Sequence, residues 1–224
     1  MNAKLTEILD NLFHLHFPTQ QELASTFLRF QEHYESPQFK GKIFTLDEFE
    51  QWYIFNSPKG KETGTFTYHE DWSGFNIPSL VLEPFYEGRF DPLSVQEESL
   101  LQQFQDKRGA KFYVIGTFGK EQESLNHEIA HGLFYTNSDY QSKVLEALAS
   151  MIPEDRNKMR SALLALGYDE SVIDDEIQAY VVDDLEWLAR HEIEGQGFVK
   201  LHQQLREIFD RYMSRKMIVT AQEF

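Results

Sequence analysis

The sequence HEIAHG occupies residues 127–132 and carries the strongest structural implication in the chain. On a helix, His127 and His131 lie one turn apart and project from the same face, so both imidazoles can reach one metal ion. Glu128 is rotated from His127 by about 100° around the helix axis, where its carboxylate can accept a proton from a neighbouring water. Two imidazole ligands, an open coordination position and a neighbouring carboxylate base are features of a hydrolytic zinc site. The run therefore predicts a metal-binding helix.

An incidental pair of surface histidines is the alternative interpretation of this run. With this composition, a His-Glu-x-x-His pattern arises by chance about 0.03 times per chain if residues are independent. Leu125, Ile129 and Leu133 recur every four residues, which gives the helix a broad apolar side with the histidines at its margin. A solvated histidine pair needs no such apolar side, so the metal site is favoured.

The composition is that of a folded protein. Of the 224 residues, 41% are hydrophobic and 14% are aromatic, which suffices for a sizeable core and favours one domain over residues 1–224. Residues 1–110 are expected to form helices and strands, and residues 111–224 a strand, the motif helix and a helical half. The net charge of −16 argues against non-specific binding to nucleic acid or anionic membranes. It is compatible with a basic protein or peptide partner, although a solvated acidic surface is the simpler explanation.

The chain contains no cysteine, which excludes disulfides, cysteine-ligated metals and thiol nucleophiles. Residues 1–7 lack the apolar core of a signal peptide. No segment approaches the roughly 20 consecutive apolar residues of a transmembrane helix. We therefore expect a cytoplasmic protein without a membrane anchor.

Hydrophobic spacing predicts mainly helix in the first sixty residues. A helix is expected over residues 4–16, and a second one from about Thr19. The sequence from Thr45 to Glu48 has the form of a capping box and predicts a third helix, which Ser57 and the following proline would end.

Residues 64–85 predict two short strands. Polar and aromatic residues alternate over residues 65–69, and residues 79–82 form a short apolar run. The aromatic segment between them, residues 71–78, reads as a loop that either lines a substrate cleft or fills the core.

The remainder predicts one strand and several helices. Ser94 to Glu97 is a second capping box, and residues 111–119 carry the strongest strand signal in the chain, directly before the motif helix. Later helices are expected to begin near Ser138 or Asp139, at Pro153, at Asp169 or Ser171, and at Gly197, with residues 217–220 as a final strand or tail. The predicted class is α+β, with most helix in the second half.

A catalytic zinc ion takes three protein ligands and keeps a fourth position open, so a third ligand is required. Glu176 is the favoured candidate, because Ile177 and Tyr180 indicate that its helix packs inward, and Ala179 permits close approach to the motif helix. One alternative is that Glu176 is a solvated carboxylate. The other is that a different downstream residue is the ligand, with His191 as the second choice among candidates that also include Asp174, Asp175, Asp183, Asp184, Glu192 and His202. The other upstream histidines are expected at the surface or the core margin, at positions 14, 16, 33 and 69.

A helix with His-Glu-x-x-His, preceded by a strand and followed by a helix with Glu-x-x-Ala, resembles the gluzincin-type zinc metallopeptidases, in particular the minimal single-domain members. The resemblance covers residues 111–182 and rests on His127, Glu128, His131 and Glu176. It implies a zincin-like fold, a zinc ion held by the two histidines and the glutamate, and peptide hydrolysis. The chain lacks the third histidine of the metzincins, and Tyr180 stands where some gluzincins have an aspartate that orients a ligand histidine.

The mechanistic hypothesis is a zinc peptidase in which Glu128 is the general base. Tyr180 is the candidate for stabilising the oxyanion, and the strand around residues 113–117 is expected to bind an extended peptide by strand addition. A metal-dependent hydrolase of a non-peptide substrate has the same metal chemistry and stays open. The third alternative is a non-enzymatic acidic interaction protein with a structural metal, which would not need Glu128.

Overall fold

A computed structural model describes residues 2–119, 125–183 and 195–220, together with residues 188, 190 and 193, and at 196 and 215–220 it describes the backbone alone. The chain forms two compact units, Met1–Gln122 and Glu123–Phe224. The α+β class is confirmed, because a four-stranded sheet is combined with a majority of helical residues. The zincin-like character and the single-domain organisation stay predictions.

The first unit contains the four strands of the described sheet. Its elements are β1 (Lys4–Leu9), β2 (Leu12–Phe17), α1 (Gln20–Glu35), α2 (Leu46–Asn56), α3 (Pro58–Thr63), α4 (Tyr68–Asp71), β3 (Gly74–Pro78), a 3-10 turn (Ser79–Leu82), α5 (Glu83–Tyr86), α6 (Val95–Gln103), a 3-10 turn (Gln105–Lys107) and β4 (Tyr113–Phe118). The strand order is β1-β2-β4-β3; β2 and β4 are parallel, and the two outer pairs are antiparallel.

The chain begins with a β-hairpin, so the helix predicted over residues 4–16 is wrong. Phe13, Leu15 and Phe17 are buried at every second position, whereas the histidines between them are partly exposed. Asn11 turns the chain between β1 and β2 with a positive φ of 61°, which asparagine tolerates better than most residues. The leucines here fit a helical spacing as well as an alternating one, and pairing with β4 selects the strand.

The two strands predicted within residues 64–85 are also wrong. Residues 68–71 form α4 and residues 79–82 form a 3-10 turn, whereas β3 occupies the segment predicted to be an aromatic loop. Phe75 and Ile77 alternate around a polar residue and pack in the core. Of the two roles expected for this segment, lining a cleft or filling the core, it therefore has the second. The strand lies at the edge of the sheet, which tolerates its terminal Pro78.

Local sequence signals are confirmed where a side chain caps a helix. Thr19 caps α1, and the capping boxes of α2 and α6 form with both of their reciprocal hydrogen bonds. The strand predicted over residues 111–119 is β4. These signals depend on residues only three positions apart, so the chain needs no distant contact to obey them.

Helix α1 packs closely on the sheet. The ring of Phe27 in α1 stacks on Phe75 in β3, with centroids 5.6 Å apart. A Cβ atom at Gly116 in β4 would lie 2.5 Å from the ring of Phe27 and 2.7 Å from Leu23. The missing side chain at Gly116 therefore lets the helix approach the strand.

One ion pair is buried inside this unit. The guanidinium of Arg29 in α1 donates to Glu97 in α6 through Nε at 2.6 Å and Nη2 at 2.5 Å. It also donates to the carbonyl oxygens of Phe90 at 3.0 Å and Pro92 at 3.3 Å. Both side chains are almost fully buried, at 3% and 1% exposure. The pair joins α1 to α6, and Arg29 also fixes the loop between α5 and α6.

The described elements of the second unit are helical. They are α7 (Leu125–Thr136), α8 (Ser138–Ala149), α9 (Pro153–Ala165), a 3-10 turn (Glu170–Val172), α10 (Ile173–Asp183) and α11 (Gln196–Thr220). Two sequence predictions need correction: Asn137 caps α8 in place of Ser138 or Asp139, and residues 217–220 continue α11. Among the described residues, no helix combines the length and the apolarity that crossing a lipid bilayer requires.

Candidate metal centre

Helix α7 carries the histidine pair and packs against α10, which carries the glutamate. Ile129, Ala130 and Leu133 form the buried side of α7, as the apolar spacing predicts. Ala179 in α10 is fully buried, which agrees with the expectation that a small residue permits close passage of the two helices.

The predicted ligands come together in the structure. Nε2 of His131 lies 3.0 Å from Nε2 of His127 and 3.7 Å from Oε2 of Glu176. The ligand atoms of all three residues lie within 4.8 Å of one another. His131 is buried, and the other two side chains are partly buried. The fold therefore creates a group of two nitrogens and one carboxylate oxygen that is placed to hold a metal ion.

Two distances between these atoms are compatible with a tetrahedral metal site. With metal–ligand distances of about 2.0–2.2 Å, neighbouring ligand atoms of a tetrahedral zinc ion lie about 3.3 Å apart. The two distances from Nε2 of His131, 3.0 and 3.7 Å, bracket this value. Two imidazoles and one carboxylate also match the ligand set of catalytic zinc, although other transition metal ions accept the same atoms.

The electrostatics of the two histidines differ in direction. Burial, helped by the charge of His131, lowers the pKa of His127 to about 3, so this imidazole is neutral and has the form that binds metals. Burial also lowers the pKa of His131, but the carboxylates of Asp175, Glu176 and Glu128 outweigh it and raise that pKa to about 10. The acidic surroundings therefore favour a cation in this group, which is a proton on His131 or a bound metal ion.

A carboxylate with a role that the sequence does not predict lies behind His131. Oδ1 of Asp175 is 2.9 Å from Nδ1 of His131, on the ring nitrogen that does not face the other ligands. The prediction looked for such a residue four positions after Glu176, where Tyr180 stands. The structure provides it from the position directly before Glu176, so one helix turn supplies both a ligand and a partner for another ligand.

The acidic run at the start of α10 divides between two sides of the helix. Asp174 forms an ion pair with Arg156 at 2.7 Å, whereas Asp175 and Glu176 face His131. Consecutive helical residues differ in direction by about 100°, so three adjacent acids cannot all face one neighbour. The run itself was the available sequence signal; the orientation of the helix decides which members approach the metal group.

One tyrosine lies beside His127, and a second tyrosine contacts the first. The ring of Tyr180 is 4.7 Å from the ring of His127 in an edge-to-face arrangement. The hydroxyls of Tyr180 and Tyr168 are 2.9 Å apart. Tyr180 is thus located next to a predicted ligand, and its role as an oxyanion stabiliser stays a prediction. Tyr168 was not among the predicted residues, because nothing in its local sequence distinguishes it from a core tyrosine.

The remaining predicted residues have different outcomes. Glu128 is partly buried in α7, and its charge acts on His131; its role as a base stays a prediction. His191 lies outside the described residues. His14 and His16 contact the hydroxyl of Thr117 at 2.7 and 3.3 Å, within the first unit, and do not belong to the group of three ligands.

Strand β4 cannot bind a peptide by strand addition, so that expectation is wrong. It pairs with β2 on one side and with β3 on the other, over the whole range from Tyr113 to Phe118 on the first side. Strand addition needs a free edge with unpaired backbone groups. In the described sheet the outer strands are β1 and β3.

No protein-family model, no curated protein and no solved structure matches this chain. The geometry of the metal group and the resemblance of its motif are therefore the two indications of function.

Proposed function

We propose that this protein is a zinc-dependent peptidase that hydrolyses peptide bonds with Glu128 as the general base. The observation that carries the proposal is the convergence of His127, His131 and Glu176 from two packed helices. The sequence alone predicts the same three residues, and two of the distances between their ligand atoms are compatible with zinc.

His127, His131 and Glu176 would hold the ion through Nε2, Nε2 and a carboxylate oxygen. When bound, zinc would act as a Lewis acid that polarises a carbonyl group and lowers the pKa of a coordinated water. Asp175 accepts a hydrogen bond from Nδ1 of His131 and so directs Nε2 towards the ion.

Protein side chains carry out the proton transfer and the hydrogen bonding. Glu128 takes a proton from the attacking water and delivers it to the nitrogen of the leaving amine. The hydroxyl of Tyr180, held by Tyr168, donates a hydrogen bond to the oxygen of the scissile carbonyl as negative charge develops there. Because β4 has no free edge, the substrate backbone must be bound by other groups.

Metal analysis tests the first half of the proposal. Wild-type protein purified without chelator, and its variants His131→Ala and Glu176→Ala, are analysed for metal by elemental analysis and for uptake of added zinc. We expect about one zinc ion per wild-type chain, with loss in both variants. Wild-type protein that neither contains metal nor takes up zinc would contradict the proposal.

Activity tests the second half. Zinc-loaded wild-type protein is incubated with a peptide library, and new termini are identified by mass spectrometry, with chelator-treated protein as the control. Cleavage that disappears with chelator and returns with zinc supports the peptidase. A stable metal site without peptide cleavage would refute it and favour a hydrolase of another substrate class or a non-enzymatic metal protein.

A further inference from the structure

A buried amide lies behind the carboxylate that contacts His131. Gln178, in α10, has no exposed surface. Its Nε2 donates to Oδ1 of Asp175 at 3.0 Å, and its Oε1 accepts from the hydroxyl of Tyr140 at 2.9 Å. A buried amide is unfavourable unless it is hydrogen-bonded, so these two contacts determine its place. Three hydrogen bonds thereby connect Tyr140 to His131.

The donor and the acceptor in each of these hydrogen bonds are fixed by the chemistry of the groups. An ionised Asp175 can only accept hydrogen bonds, so the amide of Gln178 must turn its nitrogen towards it. The amide oxygen then faces Tyr140, whose hydroxyl has to donate. Oδ1 of Asp175 accepts from both Gln178 and Nδ1 of His131. The hydrogen bonds from both ends therefore converge on Asp175 as the acceptor, and His131 must carry its hydrogen on Nδ1.

Tyr140 lies at the end of the hydrogen-bond chain farthest from His131 and belongs to another helix. It is fully buried in α8, its backbone N–H is bound by the capping side chain of Asn137 at 3.0 Å, and its ring meets Tyr212 edge to face at 5.2 Å. Burial and the charge of Asp175 raise the pKa of Tyr140, so its hydroxyl remains a donor. The position of Tyr140 is thus set independently of the metal group.

We infer that Tyr140 and Gln178 are positioning residues for the metal centre, which hold Asp175 so that His131 presents the unprotonated Nε2 to the ion. The inference rests on the proposed metal site. It adds that metal affinity depends on a hydrogen-bond chain reaching from α10 into α8. Neither residue touches the ligand atoms, so the effect acts through Asp175.

A purely structural role for the same hydrogen bonds is the competing explanation. It predicts that removing the Tyr140 hydroxyl lowers stability and leaves the zinc-loaded site unchanged. The positioning role predicts weaker zinc binding and a less protected proton on Nδ1 of His131. Zinc affinity and the protection of the Nδ1 proton therefore distinguish a positioning role from a purely structural one.

The experiment compares four full-length proteins: wild type, Tyr140→Phe, Gln178→Met and Tyr212→Phe. Tyr212→Phe is the matched control, because it removes the hydroxyl of a neighbouring buried tyrosine that donates to Asp139 and not to the chain. Zinc affinity is measured by competition with a chromophoric chelator. Proton exchange at Nδ1 of His131 is followed by nitrogen-15 NMR of the zinc-loaded protein, and urea unfolding reports stability.

We expect zinc affinity to fall about tenfold in Gln178→Met, the lower limit for residues that support a metal ligand, and roughly threefold in Tyr140→Phe. The His131 proton should exchange faster in both, and Tyr212→Phe should match wild type. Wild-type affinity and exchange in both chain variants, or equal losses in the control, would overturn the inference alone. A wild type that binds no zinc would overturn both the inference and the proposed function.

Discussion

Oδ1 of Asp175 and Nδ1 of His131 lie 2.9 Å apart, while Nε2 of the same imidazole faces His127 and Glu176. The two nitrogens of one ring thus have separate tasks: one is hydrogen-bonded to a carboxylate, and the other is directed to the ligand group. A carboxylate in this place fixes the ring orientation and increases the basicity of the ligating nitrogen. The relationship makes Asp175 the first residue to test beyond the ligands themselves.

Replacing Asp175 with Asn should weaken zinc binding about 10- to 100-fold, because the amide cannot supply the negative charge that polarises His131. Competition with a chelator measures the affinity. Asp174→Asn is the matched control: this neighbouring side chain pairs with Arg156 and should leave zinc binding as in wild type. Equal affinities for both variants would show that Asp175 does not support the ligand.

Replacing Glu128 with Gln should keep the zinc content and lower the rate of peptide cleavage about 100- to 10,000-fold, the usual contribution of a general base. Elemental analysis and the rate on the best library peptide are measured on the same preparation. Glu146→Gln, an exposed position in α8, is the control and should be fully active. Activity that survives in Glu128→Gln would remove Glu128 from the mechanism.

The metal group could be predicted because its signals are local. His127 and His131 are four residues apart, so any helix brings them together. Glu176 was selected by an inward apolar pattern around Ile177 and Tyr180, and the two helices do pack together. The capping boxes at Thr45 and Ser94 were predicted on the same basis, since their partners are three residues away.

The errors arose where distant contacts decide the structure. Strands β2 and β3 both pair with β4, which follows β2 by about 100 residues in the chain, and β1 joins the sheet through β2. No local spacing of Leu12, Phe13 and Leu15 in β2 reveals the distant partner β4. Asp175 was missed for a related reason: the orientation of α10 towards α7 decides which acid approaches His131, and a list of acidic residues does not contain that orientation.

Removing one partner of the buried ion pair should strongly destabilise the first unit. Arg29→Met leaves the carboxylate of Glu97 buried without its guanidinium, and such a change costs about 3–5 kcal/mol in the free energy of unfolding. The double variant Arg29→Met/Glu97→Gln removes the uncompensated charge and should recover more than half of the loss. Urea unfolding measures both.

The control for this pair is an exposed one. Arg108 and Glu83 lie 3.1 Å apart with 42% and 38% of their side chains exposed, and Arg108→Met should change the free energy of unfolding by less than about 1 kcal/mol. Similar effects of Arg29→Met and Arg108→Met would contradict the structural role of the buried pair.

Adding one methyl group at Gly116 should disturb the contact between α1 and β4. The new Cβ would lie 2.5 Å from Phe27 and 2.7 Å from Leu23, and overpacking of this kind costs about 1–3 kcal/mol. Gly74→Ala is the matched control, because the nearest atom to its Cβ would be 3.8 Å away. Thermal unfolding compares the two, and equal stabilities would show that α1 does not press on Gly116.

The stability of the first unit should depend on pH through Glu32 and Glu48 with opposite signs. Burial raises the pKa of Glu32 above its ordinary value of 4.5, although hydrogen bonds from Ser36 and Tyr68 oppose this. Its ionisation therefore destabilises the fold as pH rises through the raised pKa. The backbone N–H and hydroxyl of Thr45 lower the pKa of Glu48, so ionised Glu48 stabilises the fold above 4.5, and this gain disappears as pH falls through the lowered pKa.

Glutamine variants at positions 32 and 48 test these opposite effects of pH on stability. Glu32→Gln can still accept the hydrogen bond that Tyr68 donates at 2.9 Å, and its free energy of unfolding should rise relative to wild type as pH rises above 4.5 and through the raised pKa. Glu48→Gln weakens the capping box, and its free energy of unfolding should fall relative to wild type as pH rises from the lowered pKa to 4.5. Urea unfolding at several pH values gives both curves. Parallel curves for the two variants would contradict the assignment, because only opposite environments of the two carboxylates produce opposite slopes.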